Sequence, residues 1–99
     1  MNITKNKQGS TLTVGLEGRL DTTTAPQLES ELKTALDDVT ELIFDIKDLA
    51  YISSAGLRVL LSAQKVMNKQ GKMVIRGASE EIMEIFDVTG FVDILTIES

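Results

Sequence analysis

The residues of this chain best placed to do chemistry are two adjacent hydroxyls, Ser53 and Ser54, followed by the small residues Ala55 and Gly56. They stand between an apolar run, residues 42–46, and a long amphipathic pattern with helical spacing. A helix start carries four backbone N–H groups without intrahelical partners and about half a positive charge. A serine there can cap the helix, and a phosphate there is stabilised. The junction therefore reads either as a plain cap or as a switch at which a serine hydroxyl receives a phosphate.

The placement of acids bears on that choice. Glu29 lies near the start of the first predicted helix, and Ser79 is followed at once by Glu80 and Glu81 at the start of the third. Both positions complement the helix dipole. The central helix has no acid from residue 53 to 61, its first charge is Arg58, and Leu57 stands where a capping box on Ser54 would need Glu. That N-terminus is left open to an anion.

Other chemistries find little support. There is no histidine and no cysteine. This removes Ser-His-Asp and Cys-His nucleophiles, Cys/His zinc sites and any disulfide framework. No GxxxxGK[ST] phosphate loop occurs. Carboxylates are plentiful but spaced like solvated faces and helix starts, so a small carboxylate enzyme is the residual catalytic alternative. Neither a metal nor a cofactor is expected. A net charge of −5, with Lys and Arg dispersed, argues against general nucleic-acid binding. No apolar run approaches the roughly 18 residues of a membrane span, and residues 1–7 lack the apolar core of a signal peptide. A cytoplasmic protein that keeps clear of membranes is the expectation.

The elements that must position the two serines follow from periodicity. Residues 2–5 and 11–17 read as strands joined by the turn-like stretch 6–10, with Leu12, Val14 and Leu16 on one buried face. Residues 18–21 leave the sheet. Pro26 suits a first helical turn, and Leu28, Leu32, Ala35 and Leu36 form a helical stripe ended by Asp37 and Asp38. Residues 42–46 suit a central strand. The next helix carries Leu57, Leu60, Leu61, Gln64 and Met67 on one side and Arg58, Ser62, Lys65 and Lys69 on the other, with Gly71 as its C′ residue. A strand over 72–76, a helix over 79–88 with Ile82, Ile85 and Phe86 inward, and a last short strand over 93–97 complete the order ββαβαβα(β). Right-handed crossovers then give one α/β domain over residues 1–99, with a mixed, mostly parallel sheet of four to five strands and helices mainly on one face.

Three motifs carry a resemblance: Gly18-Arg19-Leu20-Asp21, Asp48-Leu49-Ala50-Tyr51-Ile52, and Ser53-Ser54-Ala55-Gly56-Leu57. Gly71 before a strand and the stretch 86–91 agree with it. Together they resemble the STAS domain, and more narrowly the bacterial anti-sigma factor antagonists. The resemblance implies a binding module without an active site of its own. Its partner would be an anti-sigma factor that is also a serine kinase of the GHKL type, and binding would release a sigma factor. Phosphorylation of a serine matching Ser54 would break the complex, and a serine phosphatase of the PP2C type would restore it. Many members have Asp before that serine and Ser or Thr after it. Here Ser53 and Ala55 take those places, which makes Ser53 the second candidate acceptor. The implied partner surface comprises Asp21, Thr22, Ser53, Ser54, Gly56, Arg58 and Ser62. A regulatory STAS subunit of a transporter or lipid-handling complex is the alternative reading.

Overall fold

Alternating apolar residues decide which face of the sheet is covered. In the computed structural model, which describes residues 1–98, Leu12, Val14 and Leu16 of β2 (Thr11–Leu20) are buried. So are Leu42, Phe44 and Ile46 of β3 (Glu41–Ile52), and Met73 and Ile75 of β4 (Lys72–Arg76). These residues share one apolar cluster with Leu28 and Leu32 of α1 (Ala25–Ala35), Leu57, Leu60 and Met67 of α2 (Ser54–Gln70), and Ile82 and Phe86 of α3 (Glu80–Thr89). The three helices therefore lie on the same side of the sheet. The opposite face carries Ile43 and Val74, paired and buried at its centre, flanked by polar pairs in which Lys72 meets Glu41 at 3.4 Å and Arg76 meets Glu98 at 3.3 Å.

The strands run in the order β1-β2-β3-β4-β5, with β1 (Asn2–Gln8) antiparallel to β2 and every other pairing parallel. Parallel neighbours need a helical crossover, and α1, α2 and α3 supply them in turn. This is the expected mixed sheet with helices on one face, and β3 is its central strand.

Several boundaries differ from the sequence reading. The first hairpin turns at Gly9 and Ser10 alone, with Gly9 at φ 63°, so Asn6, Lys7 and Gln8 belong to the ladder. Residues 18–20 stay in β2, and β3 runs on to Ile52. Glu29 is a turn too late to serve the start of α1. The last strand, β5 (Ile97–Glu98), is shorter than expected, because residues 91–93 form a 3₁₀ turn after Gly90, which sits in the left-handed region at φ 82°.

Gly71 ends α2 for a different reason from the one expected. Its φ is 171°, so it is no left-handed cap. The Lys72 N–H instead donates to Thr40 O at 3.0 Å, which draws that carbonyl against the Gly71 backbone. A Cβ at position 71 would lie 1.8 Å from Thr40 O. Relieving that overlap must open the α2–β4 corner, so Gly71→Ala should cost about 1–3 kcal/mol. Chemical denaturation should show a lower midpoint with an unchanged m value.

Candidate functional site

The carboxyl ends of β2 and β3 lie side by side, because Leu20 and Ile52 are partners in the parallel ladder. The Ser53 N–H adds one more rung, donating to Leu20 O at 2.9 Å. Ser53 is thus the last extended residue, at φ −97° and ψ 176°, and the chain enters α2 at Ser54. The loop after β2 and the start of α2 meet at this end of the sheet, where ligands gather in open α/β folds.

The two hydroxyls have different duties. Ser53 is the N-cap: its Oγ accepts from the Gly56 N–H at 3.4 Å, and its carbonyl accepts from the Leu57 N–H at 2.9 Å. Ser54 is the first helical residue. It is exposed, and its hydroxyl takes no hydrogen bond among the described residues. The cap is therefore one residue earlier than a cap at Ser54 would place it. The first turn of α2 holds no acid, whereas α3 is capped by Ser79 and followed by Glu80 and Glu81. The N–H groups of Ser54 and Ala55 stay available to an anion at the Ser54 side chain.

Gly56 packs against the strand ends. It is buried, and a Cβ there would lie 2.7 Å from Leu20 Cγ and 2.9 Å from Ile52 Cγ1. Its missing side chain lets the first turn of α2 sit down on the strand ends, which fixes the direction in which Ser54 projects.

Asp21 organises the neighbouring loop. Its Oδ1 accepts from the Thr23 N–H at 3.0 Å, the Thr23 hydroxyl at 2.7 Å and the Thr24 N–H at 3.2 Å. The Thr24 hydroxyl donates to Arg19 O at 2.8 Å and accepts from the Asp21 N–H at 2.8 Å. Chiefly through the Thr23 hydroxyl, with the Thr23 and Thr24 amides helping, the Asp21 carboxyl is held below its ordinary pKa. The Asp21 side chain thus braces the loop before α1, whose first turn holds no acid.

Thr22 and Arg58 are exposed near the two serines, in the loop and on the second turn of α2. Ser62 is exposed but two helical turns from Ser54, roughly 12 Å along the axis. It lines a separate groove between α1 and α2, with Leu32, Val59 and Val66. The structure also brings in residues that periodicity did not single out. Ser54 opens onto a shallow groove of about 520 Å³ shared with Tyr51, Leu57, Glu84, Ile85 and Val88. The guanidinium of Arg19 lies 4.4 Å from the centre of the Tyr51 ring. The motif residues were visible in the sequence, but their contact needs the β2–β3 register.

A family model for the STAS domain matches residues 2–99. The chain belongs to the STAS domain family. It is 35% identical over 99 residues to BtrV of Bordetella bronchiseptica, named as an anti-sigma factor antagonist, covering 98% of this chain and 85% of that protein. It is 29% identical over 100 residues to the anti-sigma-B factor antagonist of Bacillus subtilis, covering 100% of this chain and 92% of that one. The anti-sigma factor antagonist SpoIIAA shares the fold. Its unphosphorylated form aligns with a TM-score of 0.78 at 18% identity, covering 99% of this chain and 88% of that one. Its phosphorylated form aligns at 0.77 and 19%, covering 99% and 92%. No helix among the described residues of this STAS domain is long and apolar enough to cross a membrane, and no group of three or more potential metal ligands occurs among them.

The separation of the two hydroxyls can be measured. Ser53→Ala removes the cap and should lower stability by about 0.5–1 kcal/mol, while Ser54→Ala should stay within about 0.5 kcal/mol of the parent. Urea titration of both variants checks this order. Asp21 gives a second expectation. Its folded pKa is depressed, so its charge-dependent contribution is complete above the unfolded carboxylate range and is lost as pH falls through the folded value. The difference in melting temperature between parent and Asp21→Asn should be flat from pH 7 to about pH 5 and shrink below about pH 4.

Proposed function

We propose that this STAS domain is an anti-sigma factor antagonist. It binds an anti-sigma factor that is also a serine kinase of the GHKL type, and it is released when Ser54 is phosphorylated. Dephosphorylation by a PP2C-type phosphatase resets it. The domain itself performs no catalysis in this scheme. The observation that carries the reading is the state of Ser54: an exposed hydroxyl with no hydrogen bond among the described residues, at the first position of a helix whose first turn holds no acid and whose cap is supplied by its neighbour. A kinase can take that hydroxyl without unmaking the cap. The names of the relatives point the same way, and SpoIIAA exists in both unphosphorylated and phosphorylated forms.

The physics of the switch is a difference between two states. A phosphate at Ser54 adds nearly two negative charges where the helix dipole favours them, so the free domain tolerates it. In a complex the same charge sits in a surface fitted to a neutral hydroxyl, and desolvation turns it into a penalty. Arg58 lies one turn further along the exposed side of α2 and belongs to the same surface.

The test begins with candidate serine kinases and ATP. Tryptic cleavage after Lys47 and Arg58 leaves both serines on one peptide, so fragment spectra must assign the phosphate. It should lie on Ser54; modification of Ser53 alone, or of neither, contradicts the proposal. Ser54→Asp should keep its circular dichroism and melting temperature while losing at least tenfold in affinity for that kinase by calorimetric titration. Undiminished binding by the folded variant would argue against a switch.

A further inference from the structure

Arg19 is an exposed arginine whose position is nevertheless fixed. Its guanidinium lies over the Tyr51 ring at 4.4 Å, and its Nε is 3.6 Å from Asp21 Oδ2. The side chain is still 62% exposed, and among the described residues it donates no hydrogen bond. Asp21 cannot swing away to meet a partner, because its other oxygen holds Thr23 and Thr24. Tyr51, at 37% exposure, also lines the groove onto which Ser54 opens. The rim of that groove therefore presents a stacked, oriented guanidinium with both Nη groups free.

We propose that Arg19, laid on Tyr51 and steadied by Asp21, is a recognition anchor that takes a carboxylate side chain of the kinase partner. A guanidinium stacked on an aromatic ring offers a planar fork that matches a carboxylate in two parallel hydrogen bonds. Its orientation is set before binding, so less side-chain freedom is lost when the contact forms. Arginine and tyrosine are also the residue types on which binding energy concentrates at interfaces. The sign of the charge gives the site its selectivity: a kinase presenting Lys or Arg at this point is repelled, and one presenting Asp or Glu is accepted. Asp21 is thereby a positioning residue, acting through Arg19.

This inference rests on the kinase-partner reading and deepens it. The experiment is calorimetric titration of the kinase that phosphorylates this chain with the parent, Arg19→Gln and Arg19→Glu at two salt concentrations. Arg19→Gln keeps the length of the stem and a planar end on the ring, and removes the charge. It should bind at least tenfold more weakly and respond less to salt than the parent. Arg19→Glu should bind more weakly still, and both should melt with the parent because the side chain is exposed. Binding of Arg19→Gln within twofold of the parent, or tighter binding by Arg19→Glu, overturns the anchor and leaves the switch at Ser54 standing. Failure of the unmodified parent to bind any serine kinase overturns both readings together.

Discussion

The parallel pairing of β2 with β3 is the constraint on which the rest of the structure depends. It joins the central strand β3 to its neighbour β2 and decides which loops become neighbours. Two irregularities in the ladder, between Gly15 and Glu17 and between Gly18 and Arg19, shift the pairing by two residues. Val14 faces Phe44, but Leu20 faces Ile52. Without these shifts Leu20 would meet residue 50, and the start of α2 would stand beyond the end of β2. With them, Leu20 and Ile52 finish level, Ser53 donates to Leu20 O, and Arg19 lies opposite Tyr51. Bulges bend a strand and re-aim its side chains, and here they assemble the rim around Ser54.

Given that register, packing sets the height of the helix. Leu20 and Ile52 are both almost fully buried, and Gly56 rests on them. A side chain at position 56 would lift the first turn of α2 and strain the rung from Ser53 to Leu20. The same contacts hold the cap residue in extended geometry and leave the next residue facing solvent. Two adjacent serines can then do opposite things, one spent on the fold and the other free of it.

The legible part of this molecule was the part written in local pattern. Residues 72–76 form a strand as read, Leu57, Leu60, Gln64 and Met67 of the predicted stripe are buried while Leu61 is half-buried, and the helices share one face as crossover handedness requires. The family motifs lie where the strand ends meet. What was not legible depends on pairing. Asn6, Lys7 and Gln8 have poor strand propensity and join β1 because Thr11, Leu12 and Thr13 pair with them. Asp48, Ala50 and Tyr51 look like a loop and are strand because residues 17–19 run beside them. Gly71 reads as a left-handed cap in any local scheme, and only the approach of Thr40 shows otherwise. The stack of Arg19 on Tyr51 hangs on two bulges that leave no trace in the periodicity.

Under the proposed switch, this division would let charge be added at Ser54 without cost to the fold. The Ser53 cap satisfies the Gly56 N–H, and no acid occupies the first turn of α2 beside Ser54. An anion there meets a favourable dipole worth about 0.3–1 kcal/mol at an exposed site. The isolated domain would gain slightly, and the loss would fall entirely on the complex, where the same charge is desolvated. A change of about 1.4 kcal/mol is a factor of ten in affinity, so a modest mismatch at one hydroxyl is enough to separate partners. Had Ser54 been the cap, modification would have disturbed the helix as well, and the signal would have been spread between folding and binding. In the proposed switch, placing the cap one residue earlier would confine the signal to the interface.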